Sequence, residues 1–236
     1  MEPSPNKVPR HIGIIIDGNR RFAKKLMLKP WKGHEWGAKK LEKLLYWCKD
    51  FGVKELTIYA LSIQNLDRPK EELDYLLKLF IEFYNKLKED KRIKESGIRI
   101  RFIGNRKLLP QNVQDAMYNL EENTKKNNQH QINFAMAYGG REEIIDATIK
   151  IAQKVKDGKL KPEEINAKTF EDNLSLKESP DMIIRTGGEK RTSNFLPYQS
   201  TYTEWFYLEK CWPEFEKEDL EKCVAEYSER ERRYGK

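Results

Sequence analysis

The stretch His11-Ile12-Gly13-Ile14-Ile15-Ile16-Asp17-Gly18-Asn19-Arg20-Arg21-Phe22-Ala23-Lys24-Lys25 decides how the chain is read. An apolar run ends abruptly in a carboxylate, a glycine, an amide and two arginines, and a basic, helix-like segment follows. In an α/β sheet the loop at the carboxyl end of a strand is where ligands sit. Gly18 lets the backbone come close to a ligand. The N–H groups of the new helix, with Arg20 and Arg21, form a receptor for an anion. Asp17 would repel that anion, and a carboxylate inside a phosphate site points to a divalent cation between them. The segment reads as a site for a Mg²⁺-diphosphate.

With 236 residues the chain can bury a full core, and a single domain over 1–236 is expected, with 1–10 as a flexible amino-terminal segment. It is 38% hydrophobic and 35% charged, too apolar for disorder. A net charge of +7 favours phosphates, nucleic acid or an anionic membrane as partners, or simply a well-solvated surface. Cys48, Cys211 and Cys223 are odd in number and lack CxxC spacing, which fits a reducing compartment and argues against zinc. Residues 1–10 are polar and contain prolines, unlike a signal peptide. No apolar run approaches the ~20 residues that span a bilayer. The expectation is a cytoplasmic protein whose membrane contact, if any, is peripheral and at the surface.

Apolar runs alternate with helical patterns. Strand candidates cover residues 11–16, 56–61, 98–103, 131–137, 182–184 and 205–208. Helix candidates cover 35–51, 70–91, 112–126, 142–156 and 217–232. The order predicts βαβ units, hence an α/β domain with a mostly parallel, six-stranded central sheet surrounded by helices. The segment 157–180 reads as a polar surface connection with one short helix. Leu73, Leu76, Leu77, Phe80, Phe83, Tyr84 and Leu87 form a stripe at helical spacing. Such a stripe faces a core, and one side of it could also line an apolar cavity.

Two further clusters follow strand candidates. The first is Tyr59-Ala60-Leu61-Ser62-Ile63-Gln64-Asn65-Leu66-Asp67-Arg68-Pro69, with hydroxyl, amide and guanidinium groups past an apolar run and Pro69 opening a helix. The second is Ile184-Arg185-Thr186-Gly187-Gly188-Glu189-Lys190-Arg191-Thr192-Ser193-Asn194-Phe195, where Arg185, Arg191 and Ser193 offer donors to phosphate oxygens. In a parallel sheet the three loops converge on one edge and could hold two diphosphates. Glu204 stands before the aromatic run Trp205-Phe206-Tyr207. No GxxxxGK[ST] is present, which excludes a P-loop nucleotidase, and no GxGxxG supports a dinucleotide fold. The chain has no DDxxD and lacks the second aspartate that a haloacid-dehalogenase phosphatase would carry at Asn19.

These pieces resemble the cis-prenyltransferases, the family of undecaprenyl and dehydrodolichyl diphosphate synthases. The resemblance runs from about His11 to Gly235. It rests on His11-x5-Asp17-Gly18-Asn19-x-Arg21, Gly33-His34, Tyr59-Ala60-x-Ser62-x2-Asn65-x2-Arg68, Ala137-Tyr138-Gly139-Gly140-Arg141, Ile184-Arg185-Thr186-Gly187-Gly188-Glu189, Arg191-x-Ser193-Asn194-Phe195 and Glu204. The stretch from Lys29 to Ala38 and the surroundings of Trp47-Cys48 look like archaeal members, several of which start from geranylgeranyl diphosphate.

The resemblance implies condensation of isopentenyl diphosphate onto an allylic diphosphate primer, with Mg²⁺ as cofactor. Asp17 would be catalytic and would hold the metal with Glu204 from the same or a neighbouring chain. Gly18, Asn19, Arg20, Arg21 and Phe22, with His34 and Arg68, would contact the allylic substrate. Ser62 and Asn65 would lie between the diphosphates and Ile63, Gln64 and Leu66 would also bind substrate, with Asn65 as the catalytic residue that orients a proton acceptor, a neutral amide being a poor base. Arg185, Arg191, Thr192 and Ser193 would clasp isopentenyl diphosphate. Ala60, His130, Ile132, Phe134 and Met136 would line a product tunnel, although His130 also reads as a loop residue just before its strand. His11 reads as structural. The Arg-x-Gly ending at Arg233–Gly235 would reach across a homodimer, and an interface would account for Trp205, Phe206, Tyr207 and Trp212. Pro30, Gln64, Leu66 and Phe22 depart from the bacterial pattern and bear on primer choice. Alternatives inside the fold are a short-chain or irregular synthase, or a non-catalytic subunit of a two-component enzyme. Nucleic-acid binding is disfavoured, since the basic residues are scattered and no recognition motif occurs.

Overall fold

The computed structural model describes residues 8–230 of the chain. The apolar run forms β1 (His11–Ile15), followed by α1 (Asn19–Lys25), α2 (Gly33–Asp50), β2 (Glu55–Ser62), α3 (Lys70–Glu89), a short α4 (Lys91–Glu95) and β3 (Ile98–Ile103). Then come α5 (Gln111–Thr124), β4 (His130–Tyr138), α6 (Gly140–Lys156), α7 (Ala167–Glu171), β5 (Met182–Arg185), β6 (Glu204–Tyr207) and α8 (Lys217–Glu229). β1 is buried along its whole length, as a central parallel strand covered on both faces must be.

The sheet order is β3-β4-β2-β1-β5-β6, and every pairing is parallel. The mostly parallel expectation becomes a fully parallel sheet. After β1 the chain builds one flank with β2, β3 and β4, then returns to place β5 on the other side of β1. That reversal is a topological switch point, and the crevice beyond the strand ends there is where such sheets bind ligands. Ile15 pairs with Tyr59 on β2 and with Arg185 on β5, so the three predicted loops leave the sheet at one edge.

One face of the sheet buries Ile12, Ile14, Leu56, Ile58, Ile100, Phe102, Ile132, Phe134 and Ile184 under α2, α3 and α5. The other buries Ile15, Tyr59, Ile103, Ala135 and Ile183 against Leu176, Phe195 and Leu196. At the amino-terminal end of the strands this second face is polar. His11 Nε2 lies 2.8 Å from Thr57 Oγ1, and Asn133 Nδ2 donates to Thr57 Oγ1 and Glu55 Oε1. Burial holds His11 below its ordinary pKa, so it serves this network as a neutral ring, the structural role expected for it.

The α3 stripe does both things that its spacing allows. Leu77, Phe83, Tyr84 and Leu87 join the core, while Leu76, Phe80 and Phe83 also line a cavity. Ile132, Phe134 and Met136 are buried inside the core and are absent from that cavity's lining; of the five expected tunnel residues only Ala60 faces it. Phe134 instead packs against Phe83, Tyr84 and Phe102, with ring centroids 5.5–6.0 Å away. His130 is the first residue of β4, not a loop residue, and its Nδ1 lies 2.9 Å from Val53 O at the opposite end of the sheet.

Two of the aromatics assigned to an interface belong to the chain's own core. Trp212 is fully buried, donates from Nε1 to Gly37 O and stacks on Phe215. Phe206 is buried beneath Arg230. Trp205 and Tyr207 stack on each other along the edge strand and stay half-buried. The Arg-x-Gly ending lies outside the described residues. Among the described residues no helix is long and apolar enough to cross a membrane. Replacing Phe134 by alanine removes the centre of the aromatic packing behind the cavity. A loss of about 3–5 kcal/mol in urea unfolding is expected, with the secondary structure retained by circular dichroism.

Candidate active site

Two adjoining cavities open beyond the carboxyl ends of β1, β2 and β5. The larger, about 540 Å³, is lined by apolar groups including Ala38, Leu41, Ala60, Leu76, Phe80 and Phe83. The other, about 380 Å³, is polar, with Arg20, Arg21, Lys24, Arg68 and Arg191 in its walls. Ile16, Asp17, Asn19, His34 and Arg68 line both, so the two meet around Asp17.

Asp17 is held from behind. Its backbone oxygen accepts from Thr186 Oγ1 at 2.8 Å and from Trp212 N at 2.9 Å. Its Oδ1 accepts from Gly18 N at 2.6 Å. Oδ2 accepts from Arg185 Nη2 at 2.9 Å, and Arg21 stands 3.8 Å away. Gly18 has φ +99°, and a Cβ there would come within 2.8 Å of Cys211 Cα. The glycine is therefore required by the close passage of Cys211, in addition to any ligand.

Arg185 is only 3% exposed. Besides Asp17, its guanidinium donates to Ser193 Oγ at 2.7 Å and to the Arg191 carbonyl. It thus ties the end of β1 to the loop after β5. That loop is strained: Ser193, Asn194 and Leu196 all have φ between +49° and +63°. It is pinned to α6, where Asn194 accepts from Arg141 N and donates to Glu142, both at 2.9 Å. Strain that the surroundings over-determine is a mark of functional loops.

After β2, Ser62 and Asn65 lock each other. Asn65 N donates to Ser62 Oγ at 3.1 Å, and Ser62 N donates to Asn65 Oδ1 at 3.2 Å. The amide oxygen of Asn65 is committed to the turn, which leaves its NH₂ as a donor toward the cavity that Asn65 lines.

His34 Nε2 is buried and unpartnered. Burial, with the guanidiniums of Arg68 and Arg20, pulls its pKa down to about 3. It is a neutral ring at the junction of the two cavities. A buried orphan nitrogen of this kind calls for a ligand or water.

Several expected residues lie elsewhere. Phe22 packs edge-on against Trp36, 5.8 Å between ring centroids, and lines neither cavity. Leu66 packs on the core. Ile63 and Thr192 are absent from both linings, whereas Gln64 and Ser193 line the larger one. Asn19 does line both cavities, but it spends its Nδ2 on Ile16 O at 3.0 Å, shaping the loop. Glu204 opens β6 in register with Met182, at the end of the sheet away from Asp17, and pairs with Arg230 at 2.6 Å. Within one chain it does not join Asp17, and no group of three metal-ligating side chains occurs among the described residues.

Sequence reasoning missed two carboxylates. Glu72 is almost fully buried and holds Arg68 at 3.0 Å and Arg20 at 3.7 Å. The signal was present: Arg68 and Glu72 are four apart across a helix start, and a buried acid there has to be paired. Glu189 lines the polar cleft and holds Arg191 at 2.5 Å and Arg21 at 3.8 Å.

A cationic cleft continuous with an apolar cavity at a parallel-sheet switch point is the binding site of an α/β enzyme, suited to a ligand with an anionic head and an apolar tail. The undecaprenyl diphosphate synthase family model matches residues 15–235. A geranylgeranyl-diphosphate-specific tritrans,polycis-undecaprenyl-diphosphate synthase of Methanopyrus kandleri is 49% identical, covering 98% of this chain and 86% of the relative. Its counterpart from Pyrococcus horikoshii is 47% identical, over 97% and 88%. Among solved structures, lavandulyl diphosphate synthase from Lavandula x intermedia, crystallised with dimethylallyl diphosphate, superposes with a TM-score of 0.93. It is 37% identical, with 97% of this chain and 99% of that one covered. The chain belongs to the undecaprenyl diphosphate synthase family of cis-prenyltransferases.

The depressed His34 pKa has a stability consequence. The unfolded histidine takes a proton below about pH 6.5, whereas the folded one resists protonation down to about 3. Below pH 6.5 the unfolded state binds more protons, so stability falls as pH drops. Between pH 7 and pH 5, wild type should lose about 2 kcal/mol more in urea unfolding than His34→Gln does.

Proposed function

We propose that the chain extends an allylic diphosphate primer with isopentenyl diphosphate units to a long-chain cis-polyprenyl diphosphate of the undecaprenyl kind, with geranylgeranyl diphosphate as the preferred primer. The carrying observation is the junction at Asp17, where an arginine-lined cleft opens into an apolar cavity. A diphosphate matches the first and an isoprenoid chain the second. The specificity named for the archaeal relatives supports the primer.

In this reading Arg20, Arg21 and Arg68 bind the primer diphosphate, and its chain lies along Ala60, Leu76, Phe80 and Phe83. Arg191 and Ser193 bind the isopentenyl diphosphate, with Arg185 organising that loop. As the allylic C–O bond breaks, its electron pair leaves with the diphosphate, and the guanidiniums stabilise the growing charge; the isopentenyl double bond forms the new C–C bond to the allylic carbon, and loss of a proton from the isopentenyl unit restores a double bond. They are already in place, so little reorganisation accompanies the step. The Asn65 amide donates to a diphosphate oxygen and so fixes where the proton acceptor sits; with its own oxygen committed, it is no base. The apolar wall excludes water from the allylic cation.

The donor set fits Mg²⁺. One partly exposed carboxylate, Asp17, stands in a cleft that attracts phosphates, and Mg²⁺ is commonly held by one or two carboxylates with substrate phosphates and water. Bound there, the ion would add charge neutralisation at the leaving diphosphate. Glu204, locked to Arg230, stays outside this site in its own chain.

We also propose a homodimer formed along the edge strand β6, where Trp205 and Tyr207 are half-buried and one side of the strand has no partner strand among the described residues. A sheet edge left open invites pairing or cover. Three buried free thiols fit a cytoplasmic enzyme. The likeness to lavandulyl diphosphate synthase favours a second reading, short-chain or irregular coupling.

Radiolabelled isopentenyl diphosphate assayed with several primers, with products resolved by length, separates the two. Long products with geranylgeranyl diphosphate are expected; irregular or short products alone would favour the second. A chelator should abolish incorporation. Asp17→Ala should lower turnover on the order of 10³-fold, while leaving the unfolding transition cooperative.

A further inference from the structure

α1 ends in a turn that displays apolar side chains. Met27 is 94% exposed, and Leu26 and Leu28 beside it are 45% and 41% exposed. Met27 also has φ +57°, a left-handed backbone that residues with side chains seldom adopt. A glycine would make the same turn without strain. The chain instead places a long thioether at the tip and turns it into solvent.

Cations surround this tip. Arg20, Arg21, Lys24, Lys25, Lys29 and Lys32 flank Met27 along the chain, and no acidic residue occurs from Gly18 to His34. Arg20 pairs with Glu72 and Arg21 with Asp17 and Glu189 at the cleft, and acids from elsewhere offset part of the remaining charge: Lys25 pairs with Glu214, Lys29 with Glu71 and Lys32 with Glu35. Lys24 takes part in none of these pairs and is exposed. Trp36 is exposed too, and Trp31 is half-buried beneath Lys29. Exposed apolar residues at a turn, with lysines and tryptophans close to it along the chain, match the layered chemistry of a bilayer surface: acyl chains inside, then the headgroup region, then anionic charge.

We propose that Leu26-Met27-Leu28 is a lipid-inserting tip that docks the enzyme on an anionic membrane surface. Arg20, Arg21 and Lys24 line the polar cleft as well, so docking sets that cleft beside the lipid. The purpose of this arrangement rests on the proposed function, since a long polyprenyl chain is soluble only in a bilayer; the binding surface itself does not depend on it. The exposed pair Ile145 and Ile149 makes a contrast. Ile145 and Ile149 on α6 share their helix with Glu142, Glu143 and Asp146.

The test is co-sedimentation of the full chain with vesicles of phosphatidylcholine, with and without phosphatidylglycerol, alongside the fluorescence of a Met27→Trp variant. Binding to the anionic vesicles is expected, weakened by salt. The indole introduced by Met27→Trp should shift its emission to the blue on binding and be quenched by brominated lipid. Met27→Gly relieves the backbone strain while deleting the apolar tip, and it should cut partitioning about tenfold. Ile149→Ser should change nothing. Unaltered binding by Met27→Gly, equal binding to neutral vesicles, or an unshifted Met27→Trp emission would overturn the proposal. So would concentration-dependent self-association lost in Met27→Gly, which assigns the tip to a second copy. Turnover of a water-soluble short primer by Met27→Gly separates this result from any failure of the catalytic reading.

Discussion

The ion pair between Arg185 and Asp17 is the contact on which the site depends. It joins the last residue of β5 to the loop after β1, at the switch point of the sheet. The guanidinium is buried, while the carboxylate is about one-third exposed toward the cleft. Removing one partner of such a pair leaves a charge without compensation, at a cost of about 3–5 kcal/mol where burial is deep; solvent at Asp17 reduces that cost. Its main consequence is positional. Asp17 is aimed into the cleft by Arg185, and the Arg191–Ser193 loop is drawn in through the same guanidinium.

The rest of the cleft follows from a charge imbalance. Arg20, Arg21, Lys24, Arg68 and Arg191 face it, opposed by Asp17 and Glu189 in its walls and by Glu72 beneath. The acids hold the guanidiniums in fixed orientations without cancelling them, so an anionic headgroup meets donors that are already arranged. The three left-handed residues of the β5 loop show where conformational energy is stored to maintain that arrangement.

Much of this was legible in the sequence because parallel strands and strand-end loops have strong local signatures. The β1 run, the polar loop after it and the α3 stripe each announced their place. The errors came where register and tertiary packing decide. Ile132, Phe134 and Met136 share one face of β4, but the aromatic rings of Phe83, Tyr84 and Phe102 pack against Phe134 on that face, and none of the three residues lines the cavity. Glu204 entered through the family resemblance, as a metal ligand from the same or a neighbouring chain; its register with Met182 sets it at the other end of the strands within its own chain. Trp212 looked like interface and became core, since its indole N–H finds Gly37 O inside the same chain. The i,i+4 spacing of Arg68 and Glu72 was a local sign of pairing, but the burial of Glu72 and its second partner Arg20 are set only by the fold.

Everything at this site turns on the ends of β1, β2 and β5 receiving the diphosphates. The most direct measurement is a crystal structure of the chain with Mg²⁺ and a non-hydrolysable thiolodiphosphate analogue of the primer. The diphosphate should sit among Arg20, Arg21 and Arg68, beside Asp17, with the isoprenoid chain running past Ala60 toward Phe83. A diphosphate seated instead at the opposite end of the sheet, in the basic cleft of Arg99 and Arg101, would contradict that placement.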